Sequence, residues 1–454
     1  MLSEQRRVLS ERLGAPVDAS SVAIVRIAVG GLVAIEAAAY LLGGELRKSF
    51  LDPEFHFGYW PLEWIQPLPE PWLQVVFVGL AAVALLVAAG ALYRLAAPLM
   101  ALGFAYLFLL DKTEYLNHFY AVVLFALLLV VIPADRALSV RSRRRGAPAA
   151  IRAWSVWLLR FQVGVIYLYG GVAKLNSDWL AGEPMGIWLA AREDLALVGP
   201  LLAEPAAAQA LTWGGLAFDL LIVPALLWRR SRPWAYGAAV AFHLANAVIW
   251  DIGIFPWLMI GATTIFFAPD WPRRAAARLG ARVPAPPRPQ QPPAGRLRRV
   301  GLAALGLYLA LQLLVPLRHH LYPGDVGWTE EGHRFAWHMK LRDKRGATRF
   351  FAVDPGSGER RALDLSGLVT ERQRRRMAGR PDMIRQLARH LAERERRRGR
   401  RVEIRVDARA SLNGRPLQRL VDPDRDLGSE PAGLGAKGWI LPQRLSLRAA
   451  SPTG

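Results

Sequence analysis

The stretch AWSVWLLRFQVGVIYLYGGVAKLNSDW, residues 153–179, decides how the rest of the chain is read. From Ala153 to Ala173 it is apolar except at Ser155, Arg160 and Gln162. About 20 such residues in a helix cross the hydrocarbon core of a bilayer. The run stops at a lysine, Lys174, and Asn176, Asp178 and Trp179 follow. Burial there disfavours the charged ammonium and favours the free amine, a form that arginine never offers. Gly170 and Gly171, just before it, allow a ligand or a neighbouring helix to approach closely.

Eight other stretches have the same apolar character. The candidate spans are 19–42, 71–93, 95–110, 118–133, 153–173, 206–228, 234–250, 254–268 and 300–317. A cytoplasmic N-terminus (1–18) then puts 21 Lys+Arg in the inner segments and 5 in the outer loops. This is the asymmetry of the positive-inside rule. The linker 269–299, Pro- and Arg-rich at 282–293, falls inside, and residues 318–454 fall outside. The expected fold is a polytopic α-helical membrane bundle of about nine spans over 19–317, followed by a small α+β or β-rich extracytoplasmic domain. In that domain, Pro381–Arg398 reads as an amphipathic helix. Asn413-Gly414 reads as a type I′ hairpin turn between 402–410 and 416–421. Segments 334–343 and 347–354 read as strands paired around Gly346.

Composition narrows the chemistry. The 454 residues carry 58 Lys+Arg against 37 Asp+Glu, a net charge of +21, with 53% hydrophobic residues and no cysteine. Disulfides, thiolate nucleophiles and cysteine-bound metals are excluded. Only six of the basic residues are lysines: Lys48, Lys112, Lys174, Lys340, Lys344 and Lys437. Histidines gather on the outer side, among them His56, His319, His320, His333 and His338, but no HExxH or similar spacing occurs, so no metal is expected. GxSxG and Walker A motifs are absent, as is a GxGxxG in a βαβ setting. The basic C-terminal part faces away from the cytoplasm, so nucleic acid is not an expected partner. Inside the spans, Asp219, His243 and Asn246 are costly enough at membrane depth to be functional candidates.

Several segments, in order, carry a resemblance: PLEWIQPLP (61–69), FLLDKTEYLNHFY (108–120), GVAKLNSDWLAG (171–182), FHLAN (242–246), IGIFPW (252–257), APDWPR (268–273) and, more loosely, GWTEEGHRFAWHM (327–339). Together they resemble the vitamin K-dependent γ-glutamyl carboxylases and the related bacterial membrane proteins called HTTM proteins. A glutamate γ C–H is too weak an acid for any side chain, so a cofactor must generate the base. The resemblance implies that a lysine deprotonates reduced vitamin K or menaquinol. Reaction with O₂ then makes a base that takes the γ proton, CO₂ adds to the carbanion, and the quinone leaves as its epoxide. It implies Lys174 as the catalytic base and His118 beside it. Asn117, His243, Asn246, Asp178 and Trp179 are implied around the cofactor, and Trp337 near the peptide. Ala173 stands where vertebrate members have a second lysine. The implied partners are membrane lipid, a lipid quinone and an exported Glu-containing peptide, with no metal required. The implied location is the inner or plasma membrane. Two alternatives are a quinone epoxidase of the same fold that does not carboxylate, and a non-enzymatic HTTM binding or maturation protein.

Overall fold

The computed structural model describes residues 2–144, 150–194, 199–250, 252–280 and 296–447. The connector at 282–293 lies outside them. A short N-terminal helix, α1 (Leu2–Gly14), leads into α2 (Ser20–Leu42), α3 (Trp72–Ala89), α4 (Tyr93–Leu109), α5 (Asn117–Val131) and α6 (Ala153–Val172). Then come α7 (Pro205–Leu227), α8 (Arg232–Trp250), α9 (Phe255–Thr263) and α10 (Arg296–Leu314). Helices therefore occupy all nine predicted stretches. Among the described residues five helical segments are long and apolar enough to cross a membrane: α2, α3, α6, α7 and Gly301–Leu321. The helices at Tyr93–Leu109, Asn117–Val131 and Phe255–Phe266 are apolar but shorter. Length and composition thus support five candidate spans among the described residues and do not confirm nine.

The bundle forms around α2, whose face Val22, Val25, Val29, Val33 and Ala37 is buried against α3 and α9. Its outer surface stays apolar, with Val75, Val78, Leu85, Leu102, Leu221 and Leu307 exposed. Lipid tails are the solvent for such a surface, because every backbone polar group is satisfied within the helices. Exposed tryptophans sit at opposite ends of the helices, Trp64 and Trp72 before α3 and Trp228 and Trp234 at the α7–α8 turn. Tryptophan favours the two membrane–water interfaces.

The C-terminal domain is a four-stranded antiparallel sheet with two helices. Strands β1 (Lys344–Val353), β2 (Arg360–Ala362), β3 (Glu403–Leu412) and β4 (Gln418–Arg419) lie in the order β2-β1-β3-β4. On β3, alternation sends Ile404, Val406, Ala408, Ala410 and Leu412 inward. They meet Met383, Ile384, Leu387 and Leu391 on one face of α12 (Pro381–Arg397). Each Val, Leu, Ile or Met side chain among them, fully buried, contributes about 1.5–3 kcal/mol. The predicted amphipathic helix is this α12. The Asn413-Gly414 turn follows β3 with φ of +50° and +78°. The predicted pairing around Gly346 does not form. Gly346 lies inside β1, which pairs over its whole length with β3. A Cβ at Gly346 would come within 2.5 Å of the Ala378 carbonyl oxygen at the end of α11 (Glu371–Ala378), so glycine here serves close helix–sheet approach rather than a turn. Residues 334–343 are irregular because Phe335, Trp337 and Lys340 all take positive φ, which a strand cannot accommodate.

Two polar docks join this domain to the bundle. In the first, Asp111 accepts from the Gln373 side chain at 2.9 Å, Lys112 pairs with Asp382 at 2.8 Å, and Glu114 pairs with Arg372 at 2.6 Å. Thr370 and Gln373 form a capping box that starts α11 and aims it at this loop. In the second, the Asp178 carboxylate takes both terminal nitrogens of Arg415 at 2.6 and 2.7 Å and the Asn413 amide at 2.8 Å.

Candidate active site

Between the two docks lies a cavity of about 720 Å³. Local sequence positions each wall. Lys174 follows the end of α6, and Gly170 and Gly171 let α7 pack tightly there: a Cβ on Gly171 would lie 2.7 Å from Leu220. The approach they permit is that of a helix, and it brings Asp219 to Lys174. The buried ammonium donates to the Asp219 carboxylate and, at 3.2 Å, to the Gly170 carbonyl. It also stands 5.3 Å from the ring of Trp179, whose indole N–H donates to the Thr212 carbonyl at 3.1 Å. Lys174 is thus not a lone buried amine but one half of an ion pair with Asp219.

The opposite wall comes from α5 and α8. His118, in the first turn of α5, lies against Phe119 and Phe255. Among the described residues no protein group hydrogen-bonds its imidazole, so its nitrogens serve the cavity. His243 is fixed instead, 2.8 Å from the Tyr167 hydroxyl, which is 3.2 Å from the Thr263 hydroxyl. Asn246 bonds back to the Phe242 carbonyl at 2.8 Å. Asn117 accepts from the Tyr115 hydroxyl and donates to the His338 carbonyl, each at 3.1 Å, which ties α5 to the segment that closes the cavity. Met339, Lys340, Arg372 and Arg376 of the C-terminal domain complete the wall.

Of the residues singled out from sequence, Lys174, His118, Asn117, His243, Asn246, Trp179 and Asp219 line this one cavity. Two do not. Asp178 points away, into the dock with Arg415. Burial works against its charge, but the Arg415 and Asn413 hydrogen bonds outweigh it and hold its carboxyl below the usual range. Trp337 is fully buried, its ring 4.9 Å from Tyr120, and lines no part of the cavity. Asp219 is the functional neighbour that sequence reading left unpaired. Its one local signal is a carboxylate at membrane depth.

Behind the Lys174 segment a second cavity, of about 410 Å³, is lined by His319, His320, His333 and His338 together with Asp178, Asp325, Arg342 and Asn413. No group of three or more His, Asp or Glu among the described residues is arranged to hold a metal ion. The buried His338 is pushed down to about 3, first by burial and then by His319, Arg342, Arg318 and His320 around it. Its folded value is below the unfolded one, so stability is full above about pH 6.5 and falls as the unfolded chain takes up the proton. The loss at pH 5 is about 2 kcal/mol. Thermal unfolding of the purified protein is expected to show this fall between pH 7 and 5, and His338→Gln to lessen it, the remainder coming from other buried histidines such as His333, also held below the ordinary value by burial. A flat wild-type profile refutes it.

A cavity of mixed apolar and ionisable lining at the edge of a helical bundle, closed by a second domain, defines a two-part membrane protein with an enclosed site. Residues 15–271 match the family model for the HTTM domain. Residues 297–446 match that for the vitamin K-dependent gamma-carboxylase, lumenal domain. The chain belongs to the vitamin K-dependent gamma-carboxylase family. No solved structure matches it.

Proposed function

We propose that the protein is an integral membrane γ-glutamyl carboxylase that couples oxygenation of a reduced naphthoquinone to carboxylation of glutamate in an exported peptide. The observation that carries this reading is the opening of Lys174 and His118 into a single aromatic-walled cavity. Its volume is within the range of small-molecule sites, and its polar groups, Lys174 and His118 among them, are set among aromatic and aliphatic side chains. A lipid quinone's fused ring suits that lining, with Lys174 and His118 within reach of its oxygens. With O₂ and CO₂, such a quinone supplies the strong base and departs as the epoxide; the sum is hydroquinone, O₂, CO₂ and Glu giving epoxide, water and γ-carboxyglutamate.

The residues divide the remaining work. Lys174, its proton passed to Asp219, accepts a hydroxyl proton of the quinol as a free amine and returns to the ammonium form. His118 hydrogen-bonds an oxygen of the ring and stabilises negative charge there. The fixed His243–Tyr167–Thr263 chain holds the far wall, and Phe242, Phe255 and Met259 keep water out. The test supplies the purified protein with menaquinol or vitamin K hydroquinone, O₂, bicarbonate and a Glu-containing peptide. Epoxide that depends on Lys174, with a 44 Da gain on the peptide, is the expected result. Epoxide without the gain would leave a quinone epoxidase; no epoxide would leave a binding protein.

The reading places the N-terminus in the cytoplasm and the C-terminal domain outside, in the inner or plasma membrane. The arginine-rich loops and the exposed tryptophans at both helix ends support it. A reporter fused at Gly454 is expected to read as extracytoplasmic; a cytoplasmic signal breaks this topology.

A further inference from the structure

The segment that closes the cavity is held at three successive points. Trp337 packs on Tyr120 of α5, Met339 sits over Gly170 of α6, and Lys340 enters between two indoles. The Lys340 ammonium is 4.9 Å from the ring centres of both Trp188 and Trp250, which meet edge to face at 5.5 Å. Its backbone is left-handed, with φ of +51°. A non-glycine residue in that region costs about 1–2 kcal/mol and persists only where its surroundings hold it. The fold therefore accepts strain to put a cation at this wall of the cavity.

Aromatic faces satisfy only part of an ammonium. Each contact is worth about 0.5–2 kcal/mol and takes none of its three N–H donors in a strong hydrogen bond. Among the described residues, no carboxylate or carbonyl lies within hydrogen-bonding distance of Lys340, whereas Lys174 has Asp219 and Lys344 has Glu330. Arg192 is close enough to act on it electrostatically, and it is also a cation. Lys340 is exposed, so its ammonium, without an anionic partner among the described residues, is open to an incoming oxygen acceptor that carries negative charge.

We infer that Lys340, clamped by Trp188 and Trp250, binds the side-chain carboxylate of the acceptor glutamate. This rests on the carboxylase reading and adds the residue that selects its peptide substrate. The chemistry has a second use for that contact. Taking a proton from the carbon next to a carboxylate places a second negative charge beside the first, and a bound ammonium offsets both.

The test is equilibrium binding of a fluorescent Glu-containing peptide and its Gln counterpart to the full-length protein in detergent, read by anisotropy. The wild type is expected to prefer Glu by at least about tenfold. Lys340→Met should abolish the preference, and Lys340→Arg should keep most of it. Lys340→Gln repeats the neutral case should the Met variant fold poorly. A wild type without preference, or a neutral variant that keeps it, overturns the inference. The readout needs no turnover. A protein that prefers Glu through Lys340 but makes no epoxide would sink the quinone reading and leave this one standing.

Discussion

Lys174→Ala is expected to lower epoxide formation by about 10³-fold, the scale of a lost general base. Lys174→Arg should be as inactive, because a guanidinium cannot be deprotonated to serve as a base. An active arginine variant would mean that charge alone suffices. The alanine variant also leaves Asp219 as a buried carboxylate without its ammonium, which costs about 3–5 kcal/mol of stability. Inactivity could then be mistaken for unfolding. The double variant Lys174→Met/Asp219→Leu separates the two, since replacing both members of a buried pair with apolar groups is near neutral. It should unfold close to the wild-type temperature and still make no epoxide. Normal turnover in either variant removes the base assignment.

Arg415→Ala should destabilise the protein by about 3–5 kcal/mol, read as a lower unfolding temperature. Both terminal nitrogens of Arg415 and the Asn413 amide meet the Asp178 carboxylate, and the pair is nearly excluded from solvent. Removing the guanidinium leaves that charge with Asn413 alone. Because the Asp178 carboxyl is held below the usual range, its contribution is present above the unfolded value of about 3.9. It is lost as pH falls through the lower folded value. The gap between wild type and variant should therefore narrow in acid. Asp178 is four residues from Lys174, so turnover should fall as well. A variant as stable as the wild type would show that this dock is not what holds the domains together.

Local signals in the sequence were enough for much of this. Apolar length located the helices of the bundle, although among the described residues five are long and apolar enough to span. The 3.6-residue period found α12, and an Asn-Gly pair found the turn after β3. The cavity lining came largely from motifs around Lys174, His118 and His243. What was hidden depends on distant partners. Asp219 is 45 residues from Lys174, on another helix, and only the packing allowed by Gly170 and Gly171 joins them. Asp178 reads as part of the lysine motif until Arg415, 237 residues on, claims it. The strand partner of Lys344–Val353 lies beyond two helices, and Gly346 invited a turn that close packing on Ala378 explains instead. Trp337 and Lys340 owe their directions to positive φ values that no periodicity announces.

The mixed parentage of the cavity bears on how the protein is made. Lys174 and His118 are synthesised in the first half of the chain, but Met339, Lys340, Arg372 and Arg376 emerge only near its end. A nascent chain halted before the C-terminal domain carries the reactive lysine without the wall that encloses it. Under the function proposed above, assembly order works as a safeguard: the site is complete only when the last domain has folded onto the first, so an unfinished molecule has no closed chamber in which to consume quinol.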